Sequence, residues 1–211
     1  MPGRFHYGWV IVAAVATILA IAMGQLVNGL SVFFVPLEAE FQWPRGAIAL
    51  INAAGLLGLA IGGILMGRIA DRTPIRRVCL AGVVMVGTCI TLAAGADQLW
   101  HLYLLFFAAG CFGAALFAPL IALVGSWFPV GAGLAIGLAS AGQALGQGGV
   151  PFATAYLIEA FGWRGAFLVL GLASLILMVP LALLVREPPR GAGVVLRTEG
   201  APPVPPKLAV A

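Results

Sequence analysis

Charge is what this chain has least of. Only 9% of its 211 residues are Asp, Glu, Lys or Arg, and there are just 2 histidines and 3 cysteines. With 62% hydrophobic residues and a mean hydropathy of +1.10, the composition lies far outside that of soluble domains and describes an integral membrane protein. The net charge of +4 does not signal a nucleic-acid partner, because the basic residues are scattered over links and a tail and do not gather on one face. Cys79, Cys89 and Cys111 have no metal-ligand spacing and lie in apolar stretches, so they read as inert small hydrophobes; neither a metal nor a cofactor is expected. The apolar run after Gly8 is far longer than the ~7–15 residues of a cleavable signal core and reads as a first span.

A helix needs roughly 20 apolar residues to cross a bilayer core of about 30 Å. Six segments meet that requirement: Gly8 to Val35, Ala47 to Met66, Val78 to Ala96, Leu99 to Phe128, Ala132 to Ile158 and Ala166 to Val185. The expected fold is therefore all-α, a polytopic bundle of six transmembrane spans joined by short links. Residues 1–7 form an N-terminus, 8–186 the six-span domain, and 187–211 a Pro- and Gly-containing tail with too little apolar periodicity to order itself.

The links carry most of the charge. Pro36 to Gly46 holds Glu38, Glu40 and Arg45 with Trp43 as an interfacial anchor, and the fifth link sets Glu159 and Arg164 around Trp163. These two corners resemble each other, as interfacial turns with an aromatic anchor do. The second link is the most basic: Gly67-Arg-Ile-Ala-Asp71-Arg72-Thr-Pro74-Ile-Arg76-Arg77-Val78. Assigning alternate links to one side puts Arg4, Arg68, Arg72, Arg76, Arg77, Arg186, Arg190, Arg197 and Lys207 together, leaving only Arg45 and Arg164 of the 11 basic residues opposite. That bias predicts both termini on the cytoplasmic side, which in a bacterial host means the inner membrane.

No Asp, Glu, Lys, Arg or His falls in the central part of any span. The chemistry available there is that of amides and hydroxyls. Gln25 and Asn28 are three apart on one helical face of the first span, Asn52 lies in the second, and Gln143 and Gln147 are four apart in the fifth. Two readings are open: these amides line a polar cavity and bind a solute, or they join neighbouring helices at ~0.6–2 kcal/mol per contact. Glycine pairs at four-residue spacing, Gly58 with Gly62, Gly63 with Gly67, Gly133 with Gly137 and Gly142 with Gly146, predict close helix approach, and Pro119 and Pro151 are candidate kinks. Ser140 sits in a glycine-rich stretch, but a serine nucleophile needs a base at membrane depth. His6 and His101 are both at aqueous borders, so an enzyme is not expected.

Four ordered motifs carry a resemblance. The Gly67–Val78 stretch resembles the signature between spans two and three of the major facilitator superfamily. Tyr7-Gly8-Trp9-Val10, Trp127-Phe128-Pro129 with the glycine-rich run from Gly133 to Gly149, and Phe161-Gly162-Trp163-Arg164 are similar to its monocarboxylate and oxalate/formate branch. The resemblance covers about Tyr7 to Arg190. It implies the amino-terminal six-span half (3+3 helices) of a secondary transporter that moves a small organic solute, a monocarboxylate by its branch, by alternating access. It also implies a conformational latch at Gly67, Asp71, Arg72, Arg76 and Arg77, with Asp71 bonding to the opposite half. Because family members usually have twelve spans, a second six-span half or a homodimer is the implied partner, beside the lipid bilayer and the solute. Pro74 stands where the family has a turn glycine, and the link after Trp127-Phe128 lacks the family's arginines. The alternative is a truncated, transport-inactive membrane protein with at most a structural or partner role.

Overall fold

A computed structural model describes residues 3–128 and 130–188, without the side chains of residues 3–6. All regular structure among these residues is helical: α1 (Gly3–Met23), α2 (Phe34–Phe41), α3 (Arg45–Ala70), α4 (Ile75–Ala93), α5 (Leu99–Trp127) and α6 (Ala132–Leu184). A π turn (Gly24–Asn28) and a 3₁₀ turn (Gly29–Phe33) join α1 to α2 in one continuous rod, Tyr7–Phe41. The expected first link is correspondingly shorter. Pro36 falls in the first turn of α2, where a missing N–H costs nothing, and the chain leaves helix only between Phe41 and Arg45.

Among the described residues five helices, not six, are long and apolar enough to cross a membrane. The fifth, α6, has 53 residues, which at 1.5 Å per residue is roughly 80 Å, far more than one bilayer core. Its helical geometry is interrupted at Gly162, with φ 72° and ψ 172°, a region that only glycine enters without strain. The expected link from Glu159 to Gly165 thus contracts to one non-helical residue between limbs 132–161 and 163–184. Pro119 and Pro151 lie inside α5 and α6.

The rod α1–α2 is the most buried element, with Ile11, Val15, Ile18, Leu19 and Leu37 wholly enclosed. It packs on α6, α3 packs on α5, and α4 packs on both α5 and α6. Two of the four glycine pairs make these approaches. A Cβ on Gly146 would stand 2.1 Å from the Ala20 carbonyl oxygen, and one on Gly62 would stand 2.2 Å from that of Cys111. Their partners Gly142 and Gly58 meet Ala16 and Phe107. Gly63, Gly67, Gly133 and Gly137 instead face open space, so those two pairs make no close helix contact among the described residues. At the bundle centre Phe33 stacks on Phe167, ring centroids 3.9 Å apart.

Of the expected tail only Glu187 and Pro188 are described, and Glu187 accepts a hydrogen bond from the Ile75 N–H at 3.0 Å. The rest of that tail, with Arg190, Arg197 and Lys207, lies outside the described residues.

Candidate functional site

The distorted turn Gly24–Asn28 lies near the middle of the Tyr7–Phe41 rod. Packing is close at this turn. Gly24 is pressed against the Gly146 carbonyl and the Val150 side chain, 2.6 and 2.5 Å from where a Cβ would be. The backbone bulges there, with the Gly29 N–H reaching back to the Gly24 carbonyl. Such π bulges are frequent at functional positions.

The bulge changes the expected geometry of the amides. Spaced three apart on a regular helix, Gln25 and Asn28 would share a face; on the π turn Gln25 is buried at 6% exposure and Asn28 is exposed. Gln25 Nε2 donates to Ser174 Oγ at 2.7 Å, and Ser174 in turn donates to the Leu170 carbonyl at 2.7 Å. Asn28 Nδ2 donates to the Gln147 carbonyl at 3.1 Å, and Asn52 Nδ2 to the Val27 carbonyl at 3.0 Å. Gln25, Asn28, Asn52 and Gln147 are thereby gathered at one turn. Gln143, one helical turn before Gln147, is half-buried and makes no side-chain hydrogen bond among the described residues.

The hydrogen bonds of these amides run between helical segments, yet Gln25 Oε1 is buried without a hydrogen-bond partner among the described residues. An unmade bond of this kind ordinarily costs ~1–3 kcal/mol. Gln25 lines a void of about 10 Å³ with Thr154, Phe33 and Leu170, about the room of one water molecule. Ser174 and Thr154 were not evident as site residues in the sequence. They are the two buried hydroxyls of α6, and isolated hydroxyls in an otherwise apolar helix are the signal that could have marked them.

The latch residues lie elsewhere. Gly67 and Asp71 line a cleft of about 550 Å³ between α3 and α5, together with Ser126 and Glu187. Asp71, Arg72, Arg76 and Arg77 are all exposed, and none forms an ion pair among the described residues. Asp71 ends α3, its N–H bonded to the Gly67 carbonyl, while Pro74, at φ −52°, sits just before α4. The turn is made without any positive φ, so proline is compatible with it.

The resembling motifs meet in space. At the end bearing the arginines, Tyr7 packs on Trp127 at 5.4 Å and Trp9 on Phe128 at 5.2 Å, and Trp127 Nε1 donates to the Arg186 carbonyl. At the other end the two similar corners touch: Phe41 stacks on Trp43 and packs edge-on to Trp163, and Trp163 Nε1 donates to Glu40. Arg164 bonds to Asp97 and the Ala94 carbonyl, both at 3.0 Å, and lies 3.6 Å from Glu40.

The described residues form a multi-pass bundle of long apolar helices whose first span is distorted at an amide-bearing turn. The sequence matches the Major Facilitator Superfamily over residues 7–210, and the chain belongs to that family. It is 32% identical to human monocarboxylate transporter 11 over 211 residues, covering 100% of this chain and 43% of that protein. It is 30% identical to human monocarboxylate transporter 12 over 175 residues, 81% of this chain and 33% of the relative. The chain thus spans less than half the length of these relatives. Its fold is similar to that of a bacterial homologue of the human lysosomal transporter Spinster, solved inward-facing and unoccupied, with a TM-score of 0.64 and 18% identity over 90% of this chain and 45% of that one. The family is one of transporters and not of enzymes, and Ser140, exposed on α6, is not read as a nucleophile.

Proposed function

We propose that this chain is the amino-terminal half of an alternating-access transporter for a small organic solute, a monocarboxylate by the names of its relatives. The observation that carries the reading is the interrupted first span, which gathers Gln25, Asn28 and Asn52 at mid-depth with one acceptor oxygen left unpaired. Broken helices at the bilayer midplane are where secondary transporters form their sites.

Counting the limbs of α6 on either side of Gly162 separately gives six spans, and an even number agrees with both termini lying on the cytoplasmic side. The nine basic residues assigned to that side support the orientation, and the inner membrane is the matching location in a bacterial cell. A second six-span half, from another chain or a second copy, completes the cavity. The latch residues Asp71, Arg72, Arg76 and Arg77, unpaired within the described chain, are the groups available to bind it.

The test is uptake of radiolabelled lactate and related acids into proteoliposomes holding the chain alone, and into others holding it with co-expressed carboxy-terminal halves. Uptake above empty liposomes in either preparation supports the proposal. Its absence from both would leave a membrane protein of this family without transport.

A further inference from the structure

Helices α3 and α4 follow each other in sequence, yet each packs far more closely on α5 than on the other. They leave between them a groove of about 310 Å³. Met66 and Ile69 of α3 form one wall, Val78 and Ala81 of α4 the other, and Phe112 of α5 completes the lining. Ile69 and Ala81 are exposed, so the groove opens to the surroundings of the bundle. Its polar side chains, Thr73 and Arg77, both stand at the link end, whereas Ala81 lies four residues further along α4, about 6 Å deeper. A charged end above an apolar depth matches the profile of an amphiphile. Of the arginines in this link, only Arg77 lines the groove; it is exposed and forms no ion pair among the described residues. The nearby acids are turned to other tasks: Asp71 and Glu187 line the separate cleft between α3 and α5, and Glu187 bonds the Ile75 N–H.

We propose that this groove holds an anionic phospholipid of the surrounding membrane, with its phosphate on Arg77 and the upper part of an acyl chain against Ile69, Ala81 and Phe112. A guanidinium keeps its charge and presents a planar fork of donors that matches two phosphate oxygens. The Thr73 hydroxyl stands beside it as a further donor. Arg68, Arg72 and Arg76 raise the positive potential of the same link, which draws anionic head groups towards it. A phosphatidylcholine carries its own cation next to the phosphate, so the arginine gains less from it. The link then serves two sides, with Arg77 on lipid in the α4-side groove and Asp71 in the α5-side cleft. The inference needs only a bilayer around the bundle and stands apart from the transport reading.

The experiment is native mass spectrometry of the full chain in detergent micelles, titrated separately with dioleoyl phosphatidylglycerol and dioleoyl phosphatidylcholine. The two lipids share their acyl chains and differ in head group. We expect the first phosphatidylglycerol to bind about fivefold more tightly than phosphatidylcholine, the contribution of one basic residue facing anionic lipid. Arg77→Gln should bring the two lipids within about twofold of each other, whereas Arg68→Gln, at an exposed arginine outside the groove, should keep the preference. Ala81→Phe fills the groove from an exposed position and probes it without touching charge. It should weaken both lipids by about fourfold or more, as if one methylene of the chain were withheld from burial. Equal affinities for the wild type would overturn the inference. So would a loss of preference in Arg68→Gln as large as in Arg77→Gln, which would mean diffuse attraction to the whole link, or undiminished binding to Ala81→Phe. Displacement of the bound phosphatidylglycerol by a co-expressed carboxy-terminal half would also overturn it, by assigning the groove to that half.

Discussion

Arg164 and Asp97, 67 residues apart in sequence, are joined by a 3.0 Å hydrogen bond that ties the start of the last helical limb to the link between α4 and α5. The same guanidinium bonds the Ala94 carbonyl and lies 4.5 Å from the Trp163 ring and 3.6 Å from Glu40, so one side chain makes four connections at the end opposite the arginine-rich link.

Each of these ion pairs is exposed and singly worth at most about 1 kcal/mol, but they share one guanidinium with a cation–π contact and a carbonyl bond. Arg164→Ala is therefore expected to destabilise the bundle by roughly 1–2 kcal/mol, measured by thermal unfolding in detergent. Arg164→Lys should recover less than half of the loss, because an ammonium cannot reach Asp97 and the Ala94 carbonyl with a planar fork.

Gly162 has open space around it, so a methyl group would meet no neighbour. Its backbone conformation is nevertheless closed to other residues, and Gly162→Ala should cost about 1–3 kcal/mol. The expected readout is a lower unfolding temperature, accompanied by altered labelling of single cysteines placed at Glu159 and Leu168, since the limbs on either side must shift. Unchanged stability and labelling would show that the break is not strained.

Gly146 and Gly137 give opposite expectations from the same helix. Gly146→Ala drives a methyl into the Ala20 carbonyl and should destabilise by roughly 1–3 kcal/mol. Gly137→Ala has no atom within 4 Å and should be neutral or stabilising by up to about 1 kcal/mol through helix propensity. Paired thermal melts of the two variants decide it.

Asp71 is exposed and its carboxylate pairs with no cation among the described residues. Asp71→Asn is thus expected to leave the stability of the isolated chain within about 0.5 kcal/mol. In an assembly with a second half the same change should shift the balance of inward- and outward-open states, read by accessibility of cysteines on either side. An identical shift in the isolated chain would assign Asp71 a role in local folding.

The sequence disclosed whatever depends on local composition. Apolar length located the helices, and the uneven placement of arginine distinguished the two ends of the bundle. The motifs around Tyr7, Gly67, Trp127 and Trp163 pointed to the family. The π turn was not legible, because nothing near Gly24 states that Gly146 and Val150 press on it from more than a hundred residues away. For the same reason Ser174 could not be paired with Gln25, nor Glu40 with Trp163. The Glu159–Gly165 corner read as a link on its charge and aromatic content, yet one glycine with positive φ suffices to interrupt the helix there.

Glu187 completes the first turn of α4 from a position 112 residues further along the chain. The order of synthesis follows from this distance. When the arginine-rich link and α4 leave the ribosome, the acceptor for the Ile75 N–H has not been made, and that turn must wait on water or headgroups until the final limb has been inserted. The last described stretch to be translated therefore closes a contact at one of the earliest bends, after the Tyr7–Trp127 and Trp9–Phe128 contacts at the same end have all their residues available.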